Sequence, residues 1–154
     1  MIRKIYKKDY RGYTEAPIRK STTEGSSLKY SRQSDRNQIR KLLKEDFHSK
    51  CAYCGWEDDC YNGGPFHIEH IKNKDKYPES VDDYQNMAFV CSICNTSKGN
   101  KEVEQYIDPV DSEFQKLFYR NKVGAIVSSQ KGNARSKVIF KFSASGINAG
   151  STSA

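Results

Sequence analysis

Four cysteines, a histidine beside a glutamate, and two asparagines follow one another along this chain in an order suited to metal chemistry. Cys51 and Cys54 make one Cys-x-x-Cys pair, and Cys91 and Cys94 make a second. A lone pair of this kind also serves redox exchange. Two in one chain suggest a tetrahedral zinc bound by four thiolates, which needs no histidine. His70, with Glu69 beside it and Asn86 and Asn95 downstream, is then available for other work. An imidazole that titrates near physiological pH can take a proton from water. A carboxylate and an amide offer hard oxygens to a divalent cation without filling its coordination sphere.

These residues need elements to position them. Ser34 or Asp35 is placed to cap a helix, with Gln38 completing a capping box behind Asp35. Ile39, Leu42, Leu43 and Phe47 form its apolar stripe, with Arg36, Arg40, Lys41 and Lys44 outside it. Cys51 to Gly55 reads as a tight knuckle in which Gly55 permits positive φ. Phe66 to Ile71 reads as a short strand, although strict alternation would send Glu69 and His70 to opposite faces. For both to serve one site, the strand must twist, bulge or end there. Met87 to Val90 reads as a second strand running into Cys91. A helix is expected over 95–107, weakened by Gly99 and closed by Asp108-Pro109. Phe114, Leu117 and Phe118 suggest a short helix or the approach to a hairpin, and Val138 to Phe142 a further strand. Residues 143–154 are Ser-, Gly- and Ala-rich and are expected to be disordered.

With 154 residues, 36% of them hydrophobic, and a mean hydropathy of -0.86, the chain has room for only a small core, which a zinc staple would support. No apolar run is long enough to cross a bilayer, and the basic start lacks the apolar stretch of a secretory signal. Reduced, metal-binding cysteines then point to the cytoplasm. Cys60 is left over as an ordinary thiol. The net charge of +7 is uneven: residues 1–36 carry ten basic against four acidic side chains, residues 37–124 twelve against fifteen, and residues 125–154 four against none. The basic start, with Tyr6, Tyr10, Tyr13 and Tyr30 interspersed, suits a phosphate backbone with rings for stacking. The bland reading is a solvated, solubilising tail. The expected division is a basic arm over 1–33, a domain over 34–107 and an extension over 108–154.

Taken in order, Cys-x-x-Cys, Ile-Glu-His-Ile, Asn86 ahead of an apolar strand, and Cys-x-x-Cys-Asn-x-x-Lys-Gly resemble the HNH endonucleases over roughly residues 35–107. The resemblance implies an α+β fold: a small ββα-metal core of two antiparallel strands and a helix, stapled by zinc, with a preceding helix and irregular or β extensions. It implies His70 as general base and Asn86 as the residue that supports the strand connection and orients the base. Glu69 and Asn95 would hold a catalytic Mg2+ or Mn2+, with double-stranded DNA as the expected substrate; Lys98, three residues after Asn95 on the same helix face, is expected to contact phosphate, and Lys101 to contact nucleic acid. Glu69 departs from the aspartate that many members carry. The order of the module, Asp108-Pro109 and a phenylalanine-rich region is loosely similar to the small HNH subunits that partner an ATPase in Septu-type antiphage defence. Two rival readings of the same residues stay open. His67-Ile-Glu69 with Cys91 and Cys94 matches part of the zinc deaminase pattern, although Val90 replaces its proline. A zinc-ribbon module that only binds nucleic acid accounts for the cysteines and the charge, but not for Glu69-His70. His67 itself reads as structural or as a DNA contact.

Overall fold

The structure, a computed structural model, describes residues 9–60, 65–98 and 106–129, with only the backbone of Cys60, Ser97 and Lys98. Two antiparallel strands, β1 (His67–His70) and β2 (Met87–Val90), form the centre. Their register pairs His67 with Val90 and His70 with Met87. One further bond, Ile71 N–H to Asn86 O at 2.9 Å, closes the ladder beyond His70. Helix α2 (Arg36–Asp46) packs against both strands, and α3 (Ser92–Lys98) against β1. This is the expected α+β arrangement of two strands and a helix with a helix ahead of them.

Helix α2 forms because its stripe has a core to enter: Ile39, Leu43 and Phe47 are fully buried and Leu42 nearly so. Its start differs from the expected capping box. Asp35 makes no cap hydrogen bond; its carboxylate accepts instead from Lys29 N–H at 3.0 Å, and Gln38 reaches toward Glu24. The turn Gln33–Asp35, which tightens into a 3-10 helix, leads into α2 in place of a capped end. At the other end, buried Asp46 accepts from Ser21 N–H and Oγ and from Tyr84 Oη at 2.7 Å. Burial, with the Asp46 bond adding to it, pushes the Tyr84 phenol up, so it remains a donor. The short helix α1 (Thr22–Gly25) lies against that ring, and a Cβ at Gly25 would collide with it.

The start of the described chain is built into the core. Tyr10 and Tyr13, expected to offer rings for stacking on nucleic acid, are only 7% and 6% exposed. Arg19 donates to Met87 O at 2.9 Å and forks onto Asp108 at 2.7 Å and 2.9 Å. These groups tie protein to protein. Tyr6 lies outside the described residues.

Two differences follow the second Cys-x-x-Cys. The helix starts at Ser92, not Asn95, so Asn95 N–H already donates to Cys91 O at 3.0 Å as an intrahelical bond. Its amide is therefore not one of the open donors of a helix start. At the far end, Tyr106 and Ile107 are irregular and packed against the core. A 3-10 turn, Phe114–Lys116, then leads into a hairpin of β3 (Phe118–Arg120) and β4 (Ile126–Ser128), so both expectations for that segment hold. Lys101, the expected strand Val138 to Phe142 and the tail after it lie outside the described residues, as does the Lys98 side chain. Among the described residues no helix is long and apolar enough to cross a membrane.

Candidate metal centre and catalytic cavity

The first knuckle turns at Gly55, whose φ of +76° and close approach to the Arg11 carbonyl exclude a side chain. Gly55 N–H donates to Cys51 O and Ala52 N–H to Phe89 O, both at 2.9 Å, which fixes the knuckle to the end of β2. Cys91 follows β2 directly, so the strand delivers one cysteine pair to the other. All four Sγ atoms lie within 4.8 Å of one another and all four residues are buried. Cys54 and Cys91 Sγ are 3.8 Å apart. Tetrahedral zinc with Zn–S near 2.3 Å places its sulfurs about 3.8 Å apart. The donor set fits zinc. Cys94 N–H also points to Cys91 Sγ at 3.4 Å, a bond that favours thiolate. Contact with Cys51 and Cys91 pushes the Cys54 thiol up, and contact with Cys51 pushes Cys94 up. A bound cation reverses that preference.

Tight turning leaves the knuckle's carbonyls directed outward, and side chains from distant segments satisfy them. Tyr13 Oη donates to Lys50 O at 3.1 Å, Tyr10 Oη to Tyr53 O at 2.6 Å, and Arg120 to Cys54 O at 3.1 Å. Arg11 donates to Ala52 O at 2.7 Å and to Pro109 O at 2.9 Å while paired with Asp9 at 3.0 Å. Tyr13 and Phe114 flank the guanidinium, 4.8 Å and 5.1 Å from their ring centres. Burial pushes the Tyr10 and Tyr13 phenols well above their ordinary value, so both stay donors.

Beside β1 lies a cavity of about 400 Å³. His67, Ile68, Glu69 and His70 all line it, together with Asn95 of α3. The alternation problem is resolved by where the strand stops: β1 ends at His70, and Glu69 and His70 are equally buried at 6% exposure. His70 Nε2 sits 2.9 Å from Val81 O. A carbonyl only accepts, so Nε2 carries the proton and Nδ1 is the acceptor of the neutral ring. Tyr30 meets the imidazole edge to face, with ring centres 4.5 Å apart.

Asn86 does not line the cavity. Its Oδ1 accepts from Lys72 N–H at 2.9 Å, and its Nδ2 donates to Lys72 O at 3.2 Å and Ser80 O at 3.3 Å. It thereby pins both ends of the 72–80 loop, one residue from the carbonyl that holds His70. His67 is absent from the cysteine cluster, so the His67, Cys91 and Cys94 ligand set of a zinc deaminase is not formed. Burial, with the Arg40 guanidinium adding to it, holds the His67 imidazole below its ordinary range. Arg36, Arg40, Lys74 and Tyr30 complete the lining. Sequence reasoning passed over them as cavity residues. The available signal was that Arg36 and Arg40, four apart, share one flank of α2 beside the apolar stripe.

Two antiparallel strands and a helix thus carry a four-cysteine cluster that fits zinc, with a histidine, a glutamate and an asparagine lining one cavity beside it. The HNH endonuclease family model matches residues 51–101, so this chain carries an HNH endonuclease domain. No curated protein matches the chain.

Proposed function

We propose that the protein is an endonuclease that hydrolyses phosphodiester bonds, with duplex DNA as substrate, His70 as general base and Glu69 and Asn95 as ligands of a divalent cation. The observation that carries this reading is the single cavity shared by His70, Glu69 and Asn95 beside a four-cysteine cluster that holds no histidine. Glu69 and Asn95 present hard oxygens, which suit Mg2+ or Mn2+ and not the soft sulfur site. Such a cation, when bound, would stabilise charge on the phosphoryl and leaving oxygens. His70 takes the proton of the attacking water at Nδ1, because Nε2–H is committed to Val81 O. Asn86 acts through the backbone: by fixing Ser80 it fixes the carbonyl next to it and hence the orientation of the ring. Lys98 and Lys101 belong to the same proposal as phosphate contacts. Products would carry 5′-phosphate and 3′-hydroxyl ends. An ATPase partner in antiphage defence is the further biological role we propose; copurification with that ATPase tests it, and full activity of the lone protein counts against it.

The test is supercoiled plasmid incubated with zinc-loaded protein and Mg2+ or Mn2+. Nicked or linear products that disappear with EDTA are expected. A plasmid that is only shifted in a gel would establish a binding module instead, and intact backbone with converted bases would establish a deaminase.

A further inference from the structure

The cavity holds more positive charge than His70 and Glu69 require. Arg36 and Arg40 enter it from α2 and Lys74 from the loop after β1, against the one carboxylate of Glu69. Among the described residues none of the three forms an ion pair. Arg36 is oriented by Tyr30, to whose carbonyl its Nε donates at 2.8 Å and over whose ring it lies at 4.2 Å. Lys74 lies over the same ring at 5.4 Å, and that ring meets His70. One tyrosine thus connects two of the cations to the imidazole. Arg40 differs from both. Its Nη1 donates to Asn37 at 3.2 Å, but its Nε is buried and has no hydrogen-bond partner. A buried donor left unpaired has given up its water without a replacement, which is costly. Lys41, the next residue on the same helix, is exposed and shows what an ordinary surface cation looks like here.

We propose that Arg40 is a substrate-binding residue whose guanidinium holds a non-bridging oxygen of the phosphodiester facing His70, with Arg36 and Lys74 holding adjoining phosphates of the same strand. This rests on the nuclease reading. A fork of N–H donors suits two oxygens of one phosphate, and the bound phosphate supplies the acceptor that Nε lacks. The location also fits the reaction, because the donors share a cavity with the base and the hard-oxygen ligands.

The experiment has two arms. In the first, binding of fluorescein-labelled duplex DNA is followed by anisotropy across a salt series in His70→Ala protein, so that cleavage does not interfere. Adding Arg40→Ala should weaken binding about 10–100-fold and flatten the salt slope by about 0.9. Adding Lys41→Ala should change neither. Arg40→Lys should recover the slope without the full affinity. In the second arm, Arg40→Ala with His70 intact should lower kcat/KM for plasmid cleavage by about 10²–10³-fold. Zinc content and a thermal melt check each fold, and Arg40→Gln replaces the alanine variant if that loses zinc. Equal effects from Arg40→Ala and Lys41→Ala, or none from Arg40→Ala, overturn the proposal. If wild-type protein binds through Arg40 but never cleaves, the nuclease reading fails and the clamp stands. If Arg40→Ala cleaves at the wild-type rate, the clamp fails and the nuclease reading stands.

Discussion

Arginine is used in opposite ways at the sulfur cluster and at the cavity. At the sulfur cluster, Arg11 is 2% exposed at its side chain and committed to Asp9, Ala52 O and Pro109 O, while Arg120 closes on Cys54 O and Tyr10 O. At the cavity, Arg36, Arg40 and Lys74 form no ion pair among the described residues, and Arg40 retains a buried, unpaired donor. One site therefore spends its arginine donors on the protein's own carbonyls and on Asp9, and acts as a rivet. The other leaves charge for something that arrives from outside. The lesson is that the basic excess of a chain is informative only after the cations consumed by its own carbonyls and carboxylates have been subtracted.

The comparison can be broken at either side, and the largest effect should come from the sulfur side. Cys54→Ala is expected to unfold residues 51–98, because structural zinc contributes about 10 kcal/mol or more in small domains; loss of far-UV dichroism and of bound zinc checks this. His70→Ala should keep zinc and fold while losing about 10²–10⁴-fold in cleavage rate, read by plasmid nicking. Arg11→Ala should cost about 3–5 kcal/mol of stability, since it strands buried Asp9 and two carbonyls; a denaturant titration measures it. Asn86→Ala should be milder for the fold, about 1–3 kcal/mol, yet should lower kcat more than it raises KM if its role is to hold the segment behind His70. Lys41→Ala, the smallest, should stay within about 0.5 kcal/mol of wild type.

Much of the site was legible because its signals are local. The two Cys-x-x-Cys pairs, the stripe of α2, and the strands flanking His70 and Asn86 each declare themselves within a few residues. What escaped was set by distance along the chain. Nothing near Arg11 indicates that it will meet Ala52 and Pro109, 41 and 98 residues away. The same holds for Tyr30 against His70, which turned an apparent arm into part of the cavity wall. The start of α3 was missed because the knuckle itself supplies the first turn: Cys91 O takes the Asn95 N–H, so the second Cys-x-x-Cys is already helical from Ser92.

The most direct measurement is cleavage of supercoiled plasmid by wild-type protein and His70→Ala side by side, in Mg2+ or Mn2+, with zinc confirmed in both. Cleavage by the wild type alone, abolished by EDTA and restored by the added cation, is the predicted result. Equal cleavage by a zinc-loaded His70→Ala variant would contradict the account.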